Sequence, residues 1–334
     1  MHDIVVIGAS AGGVETLIEI VHQLSASIRA AIFIVVHVSP DSTGLLPGIL
    51  NRHSPVPAQQ AEDGARIERG KIYVAPPDRH LLVEDGYMHV VRGPKHNRYR
   101  PAIDLLFRTA ARHYGPRVMG VVLTGFLDDG SSGLLAIKNA GGISIVQDPN
   151  DAQVASMPRS ALEQVHPDYC VSALEIGPLI NRLVQVEAKP MLKAQTGNGG
   201  QKLEKLEKKK TITSFTCPDC HGTIWEVEEN GEIRFECRVG HAYSPEAMQE
   251  AADDDLERSL WIALRALEET AALDQRLADL SAHRKREGAH SFYRQKAHDR
   301  KRHAAVLRGF LLGSRMRQTE VEGDEGKEEL ERVS

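Results

Sequence analysis

No apolar run in this chain approaches the ~20 residues that a helix needs to cross a bilayer, so membrane insertion is not expected. The first apolar stretch begins at Ile4 and is too short for a secretory signal, and it lacks the basic flank of one. Together the two absences predict a cytoplasmic protein.

An excess of charge of one sign is also lacking. The 334 residues include 41 lysines and arginines and 46 aspartates and glutamates, which gives a formal net charge of -5. Because binding to a phosphate backbone requires a concentrated basic surface, this balance gives no reason to expect a nucleic-acid partner.

Cysteine is scarce. The chain has four, too few for the disulfide framework of a small secreted protein. Two residues separate Cys217 from Cys220, and three separate Cys237 from His241. This spacing is typical of tetrahedral zinc, and four protein ligands close the coordination shell. We therefore predict a structural zinc ion, with His221 as a competing ligand.

Residues 1–187 alternate short apolar runs with amphipathic ones, which predicts an α/β fold with a doubly wound, mostly parallel sheet flanked by helices. A β-hairpin is expected around Asp85-Gly86. Strands are expected near Asp3–Ile7, Ala31–His37, Lys71–Val74, Arg117–Leu123, Ile143–Gln147 and Tyr169–Val171. Helices are expected near Gly13–Leu24, Ser42–Arg52, Ala102–Tyr114, Gly130–Ala140, Pro158–Gln164 and Ala173–Gln185.

The rest of the chain divides by composition. We expect a linker at 188–212, a small zinc-ribbon-like segment at 213–243, an α-helical hairpin at 244–314 and a disordered acidic tail at 315–334. An apolar stripe on the first helix of the hairpin predicts self-association or the docking of a partner. Its members are Leu256, Leu260, Ala263, Leu267, Thr270, Leu277 and Leu280.

A glycine-rich turn follows the first predicted strand. Gly8-Ala9-Ser10-Ala11-Gly12 fits the G-x-S-x-G nucleophile elbow, in which a sharp turn between strand and helix exposes a serine hydroxyl. The same turn also fits a phosphate- or dinucleotide-binding loop, since Gly8, Ser10 and Gly13 have the spacing of G-x-G-x-x-G without its middle glycine. The turn by itself leaves both interpretations open.

Residues at two further strand ends favour the hydrolytic interpretation. His37 ends the second predicted strand, at the same sheet edge as Ser10. Asp128 and Asp129 follow the strand that ends near Leu123. A serine nucleophile needs a base, and the base needs a carboxylate that orients it. Separately, each residue has an ordinary structural explanation, but their coincidence at three strand ends predicts a Ser-His-Asp site.

Several motifs, taken in order, resemble the catalytic domain of the chemotaxis protein-glutamate methylesterase CheB over about residues 1–187. The resemblance implies that Ser10 is the nucleophile, His37 the general base and acid, and Asp129 the orienting carboxylate, with Asp128 the less favoured neighbour. The motifs are Ile7–Gly13, Val36–Pro40, Tyr73–His80, Arg100–Asp104, Leu123–Gly125 with Asp129-Gly130, and Met157-Pro158.

The resemblance further implies hydrolysis of glutamyl γ-methyl esters, and deamidation of glutamine, on a methylated chemoreceptor or related signalling protein. No cofactor is expected for catalysis. Backbone N–H groups near Ala11 and Gly12 and in the Gly125–Leu127 loop are expected to form the oxyanion hole. Other residues expected to line the cleft are Arg100, Phe126, Met157 and Pro158.

Two features depart from the family. Phe126 stands where the family commonly has methionine. The chain also starts directly at the first catalytic strand, without the receiver domain of the best-known members, so regulation by phosphorylation in cis is not expected. The alternative hypothesis is a non-catalytic regulatory or scaffold module that acts through the zinc segment and the helical hairpin.

Overall fold

The structure is a computed structural model that describes residues 2–188, 209–229 and 232–331. The chain forms two compact units, residues 1–249 and 250–334. The first unit contains the α/β fold together with the cysteine segment, which we define as residues 209–244. The second contains most of the helical hairpin.

A seven-stranded sheet is the centre of the first unit, and all of its neighbouring strands run parallel. The strand order is β3-β4-β2-β1-β7-β8-β9, so the order reverses between β1 and β7. The strands are β1 (Ile4–Ala9), β2 (Ala31–Val36), β3 (Ala58–Gln60), β4 (Lys71–Val74), β7 (Val118–Val122), β8 (Ile143–Gln147) and β9 (Tyr169–Val171). The hairpin of β5 (His80–Glu84) and β6 (Tyr87–Val91) lies outside this sheet.

Helices cover both faces of the sheet. The central strands β1, β2 and β7 are buried on both sides, which explains their continuous apolar sequences. One core lies between the sheet and α1 (Gly13–His22), α2 (Leu46–His53) and α6 (Ala173–Val184). The other lies between the sheet and α3 (Ile103–Tyr114), α4 (Ser131–Asn139), α5 (Ser156–Val165) and the β5–β6 hairpin.

The cysteine segment is a four-stranded antiparallel sheet in the order β10-β11-β12-β13. Its strands are β10 (Lys209–Thr216), β11 (Thr223–Glu229), β12 (Glu232–Cys237) and β13 (Ala242–Tyr243). The expected turn at Gly231 lies outside the described residues.

The hairpin consists of α7 (Pro245–His283) and α8 (Glu287–Glu331). From Leu264 onward, buried positions on α7 recur at steps of seven, three and four residues, which fit the heptad period of a coiled-coil seam. They include Leu264, Ala271, Asp274 and Ala278, and Ala297, Ala304 and Leu311 form the buried row on α8. Within the described residues of this unit, no helix has the length and apolar character needed to span a bilayer.

The α/β fold and the order of its main elements confirm the prediction. The expected helix boundary at Ser42 was wrong, because α2 begins at Leu46. Strand β3 was not predicted, since its three residues are mostly polar. Of the predicted linker 188–212, residues 189–208 lie outside the described residues, and β10 begins at Lys209.

The predicted seam and end of the hairpin also need correction. Leu256 and Leu280 are exposed at 57% and 39%, whereas Leu264 is buried. Leu260 and Leu267 do pack against the buried cluster, so the leucine spacing placed the seam correctly at these two positions and wrongly at Leu256 and Leu280. Helix α8 continues to Glu331, into the tail that composition had predicted to be disordered. Its Glu, Lys and Arg residues are polar but are good helix formers.

Candidate active site and candidate metal site

Three side chains follow neighbouring strands at the carboxyl edge of the parallel sheet. Ser10 follows β1, His37 follows β2, and Asp129 lies in the loop after β7. Ala9 and Val36 are paired across β1 and β2, and the N–H of His37 donates to the carbonyl of Ala9 at 3.1 Å. In open α/β sheets, binding and active sites form at this edge, at the point where the strand order reverses. The fold therefore brings the three predicted residues to one place.

The turn that carries Ser10 is closed by its own backbone. The Ser10 N–H donates to the Thr124 carbonyl and the Gly13 N–H donates to the Ser10 carbonyl, both at 2.9 Å. Gly12 has a φ of 74°, and a Cβ there would lie 2.3 Å from Oε1 of Gln153. Two N–H groups that a phosphate-binding loop would offer to its ligand are thus used within the protein, which weakens the phosphate-binding interpretation.

His37 is held on two sides. Its Nε2 lies 2.9 Å from Oδ2 of Asp129, and its ring stacks on the ring of Tyr99 with centroids 3.5 Å apart and planes 8° apart. Its Nδ1 is buried and has no hydrogen-bond partner in the described part of the chain. Of the two ring nitrogens, Nδ1 is therefore the one that the described contacts leave without a partner. The described hydrogen bonds do not join Ser10 to His37, and such bonds often tighten only when substrate binds.

Asp129 is fully buried and accepts four hydrogen bonds. Oδ2 accepts from His37 and from the N–H of Ile103 at 2.7 Å, and Oδ1 accepts from Nδ2 of Asn97 at 3.0 Å and from the N–H of Asp104 at 3.2 Å. Ile103 and Asp104 begin α3, so the carboxylate also faces the positive end of that helix. Burial alone would raise the pKa of Asp129, but the bond and charge of His37 and the other donors outweigh it and lower this pKa.

Asp128 contacts the cysteine segment. Its Oδ1 accepts a hydrogen bond from Oγ of Ser244 at 3.0 Å. Burial raises the pKa of Asp128 to about 7; the Ser244 bond opposes the shift, and the nearby carboxylates of Asp104, Glu246 and Asp129 add to it. The two adjacent aspartates therefore differ in partner and in proton affinity, and Asp129 is the one against the histidine.

Backbone donors lie close to the serine. The N–H of Gly125 donates to the Val154 carbonyl at 3.0 Å and is not available to an oxyanion. Gly125 packs so closely that a Cβ there would lie 2.6 Å from the Cβ of Ser10. In the part of the chain that the structure describes, no hydrogen bond uses the N–H groups of Ala11, Gly12 or Phe126.

The other expected cleft residues have different environments. Phe126 is 57% exposed, whereas Met157 and Pro158 are buried in α5. Arg100 is held by Asp78, with Nε 2.8 Å from Oδ1, and donates to the carbonyl of Gly93 at 2.6 Å. Its guanidinium group is therefore occupied within the protein.

Sequence reasoning missed the residues that hold the three together. Thr124 accepts the Ser10 N–H and donates its hydroxyl to the carbonyl of Ala11 at 2.9 Å. Asn97 bonds to Asp129, and Tyr99 stacks on His37. Thr124 lies in the family motif Leu123–Gly125, so the sequence did offer an indication of this residue. Nothing in the sequence around Asn97 indicated its contact with the end of β7.

The predicted zinc ligands are also brought together. Ligand atoms of Cys217, Cys220, Cys237 and His241 all lie within 4.8 Å of one another, and His221 is not in this group. Nδ1 of His241 lies 3.6 Å from Cys217 Sγ and 3.5 Å from Cys237 Sγ, and the Cys220 and Cys237 sulfurs are 3.7 Å apart. With Zn–S near 2.3 Å and Zn–N near 2.0 Å, a tetrahedron has edges of about 3.5–3.8 Å. The residues therefore fit a tetrahedral metal ion.

The fold and the candidate site define the class: a doubly wound α/β protein with serine, histidine and aspartate at the switch point of its sheet. A model of the family described as CheB methylesterase matches residues 5–180, more than half of the chain. The chain belongs to the CheB methylesterase family.

Individual relatives agree. A Leptospira interrogans protein is 40% identical over 185 residues, which cover 55% of this chain and 96% of that protein; its name assigns it, provisionally, protein-glutamate methylesterase and protein-glutamine glutaminase activity. A Pyrococcus abyssi protein-glutamate methylesterase/protein-glutamine glutaminase is 37% identical over 186 residues, 54% of this chain and 50% of that one.

A solved structure agrees as well. The Thermotoga maritima CheB methylesterase catalytic domain superposes with a TM-score of 0.53 at 34% identity, and the match covers 55% of this chain and 99% of that domain. The matches to these relatives therefore leave close to half of this chain uncovered.

Proposed function

We propose that the protein is a serine esterase that hydrolyses γ-methyl esters of glutamyl residues on a methylated signalling protein, a chemoreceptor in the first instance. The observation that carries the proposal is the buried bond of 2.9 Å between His37 and Asp129 at the strand end beside Ser10. Family membership and the names of the relatives support the substrate class.

In this proposal, Ser10, His37 and Asp129 provide the groups that each step of acyl transfer requires. Oγ of Ser10 attacks the ester carbonyl while Nδ1 of His37 takes its proton. The imidazolium, stabilised by Asp129, then gives that proton to the departing methoxide, which leaves as methanol. Water activated by His37 hydrolyses the glutamyl-serine ester and restores Ser10. A glutamine side chain would pass through the same acyl-enzyme and release ammonia.

We assign the oxyanion hole to the N–H groups of Ala11 and Phe126. Each is near Ser10 in the fold, and neither is used by a hydrogen bond of the described residues. A donor of this kind contributes about 3–4 kcal/mol to the transition state in other serine hydrolases. With this assignment, the exposed Phe126 ring would lie at the mouth of the cleft and would contact the receptor chain rather than the ester.

The test is methanol release from a receptor peptide that carries a glutamyl γ-methyl ester. We expect turnover by the wild type and a fall of at least about 10³-fold in Ser10→Ala, the scale found for serine nucleophiles. Ser39→Ala, which changes an exposed serine on the loop after His37, should keep wild-type turnover. Equal rates for wild type and Ser10→Ala would contradict the proposal and favour the non-catalytic module.

We further propose that the cysteine segment binds one structural zinc ion. Bound zinc would hold the turns at Cys217–Cys220 and Cys237–His241 together and would take no part in hydrolysis. Metal analysis of the purified protein should give about one equivalent, as for a single four-ligand site. Cys217→Ser should lose it, whereas Cys170→Ser, at a cysteine outside the cluster, should retain it. Equal metal content in both variants would contradict the assignment.

A further inference from the structure

The cysteine segment docks on the loop that holds the candidate catalytic pair. We call residues 95–99 the clamp loop. The N–H of Asn97 donates to the Ala242 carbonyl at 2.8 Å, and the N–H of Ala242 donates to the Lys95 carbonyl at 3.3 Å. Strand β13 thus lies beside the clamp loop, and the pairing of His96 with Ala242 is parallel. The two segments form one continuous hydrogen-bonded surface.

Asn97 connects the two sides. Its Oδ1 accepts the N–H of Ser244, at the end of the cysteine segment, at 3.0 Å. Its Nδ2 donates to Oδ1 of Asp129 at 3.0 Å and to Oδ2 of Asp104 at 3.1 Å. Asn97 is 2% exposed, so these protein groups are the main partners of its side chain. The orientation of the Asn97 side-chain amide is consequently fixed. Its oxygen accepts from the N–H of Ser244, and its nitrogen donates to the two carboxylates, so a flipped amide would lose these bonds.

Ser244 is itself held in place by its hydroxyl. Oγ donates to Asp128 at 3.0 Å and accepts the N–H of Ala247 at 3.1 Å, which caps the start of α7. These bonds fix the backbone N–H that contacts Asn97. The same clamp loop carries Tyr99, whose ring covers one face of His37. Both members of the His37–Asp129 pair therefore depend on the loop that the cysteine segment supports.

We propose that Asn97 and Ser244 are positioning residues, through which the docked cysteine segment orients Asp129 and so His37 for catalysis. This inference rests on the proposed esterase function. A positioning role predicts a lower kcat at nearly unchanged KM, because neither residue contacts substrate. It also predicts a change in the His37–Asp129 hydrogen bond itself, which can be observed without turnover.

The experiment compares four full-length proteins: the wild type, Asn97→Gly, Ser244→Ala and Ser172→Ala. Glycine is chosen because Asn97 has a φ of 47°, which glycine adopts without strain. Ser172 is the N-cap of α6 and has a capping box, so its alanine variant loses a helix cap of the same type away from the clamp loop. Each protein is assayed for kcat and KM with the methyl-ester peptide. Proton NMR records the low-field signal of the His37 ring N–H, assigned by its absence in His37→Gln.

We expect Asn97→Gly to lower kcat about tenfold or more, the effect of losing a hydrogen bond to a charged group, with KM within about twofold. In this variant the low-field signal of the His37 ring N–H should shift, or it should disappear because the proton exchanges with water. Ser244→Ala should show a smaller change of both kinds, about three- to tenfold in kcat, whereas Ser172→Ala should match the wild type.

Two outcomes would overturn the inference. Wild-type kcat and an unchanged His37 signal in Asn97→Gly would show that Asn97 does not position the pair. Identical kcat values and identical His37 signals in Ser244→Ala and Ser172→Ala would show that the cysteine segment does not take part in positioning the pair. A wild type without turnover would instead count against the proposed function, and the NMR comparison would still decide the positioning claim.

Discussion

The space around the candidate nucleophile, Ser10, is limited by close contacts of individual atoms. Gly125 lies between Ser10 and Met157, and the site has no room for a methyl group there. The adjacent Asp128 and Asp129 show the same local control, because one is bonded to Ser244 and the other to His37. The sequence predicted the residue types but could not predict these contacts, which depend on the separation of strands in space.

Gly125→Ala should reduce esterase turnover. The new Cβ would lie 2.2 Å from Sδ of Met157 and 2.6 Å from Cβ of Ser10, so the nucleophile or its loop must move. A misplacement on the order of 1 Å costs about 10²-fold in rate. Gly48→Ala is the matched control, since a Cβ there meets nothing within 4 Å and α2 should become slightly more stable. Steady-state kinetics check this, and an unchanged kcat in Gly125→Ala would contradict the close approach.

Asp128→Asn should flatten the pH dependence of stability. Burial raises the pKa of Asp128 to about 7 in the folded protein, against about 4 in an unfolded chain. Between these values the folded state binds more protons, so the free energy of unfolding from this group is highest below about pH 4 and falls up to about pH 7. Each unit of pKa difference corresponds to about 1.4 kcal/mol.

Asparagine still accepts from Ser244 and has no charge to bury. At pH 8 we therefore expect Asp128→Asn to unfold at higher urea concentration than the wild type, and at pH 4 the two should be similar. Asp41→Asn, at an exposed carboxylate, serves as the control. A variant that is less stable than the wild type at pH 8 would show that the ionised Asp128 is stabilising.

At the scale of elements, the sequence predicted the parallel sheet better than the hairpin. Strands buried on both faces are continuous apolar runs and are easy to recognise. The seam of α7 includes Asp274, which is buried because Arg300 of α8 forms an ion pair with it. A buried aspartate and alanines lack the leucine pattern by which a coiled-coil seam is recognised in a sequence. The neighbouring leucines were therefore assigned to the seam instead. Only the partner helix reveals which residues are covered.

The seam predicts different costs for two leucines on the same helix. Leu264 is 3% exposed and packs in the cluster with Ala304 and Leu311, whereas Leu273 is 57% exposed. Leu264→Ala should destabilise the hairpin by about 2–5 kcal/mol, as in other buried sites. Leu273→Ala should change the stability by less than about 0.5 kcal/mol. Hydrogen exchange of α7 amides measures both, and equal protection in the two variants would contradict the seam.

At the scale of the whole chain, sequence motifs indicated the catalytic family and the candidate metal ligands as two separate features. The structure adds their connection, because β13 and Ser244 dock on the clamp loop within the first unit. That connection joins residues far apart in the sequence, Asn97 and Ser244, which share no motif. Long-range contacts of this kind follow from the packing of the folded chain and could not be inferred from spacing.

The central claim is that Ser10 is a nucleophile activated by His37 and Asp129. Its most direct test is reaction of the folded protein with a fluorophosphonate, followed by mass spectrometry of the intact chain and its peptides. The account predicts one adduct per chain on the peptide that contains Ser10, and much slower labelling in His37→Gln and Asp129→Asn. No adduct at Ser10, or equal labelling in the wild type and both variants, would contradict it.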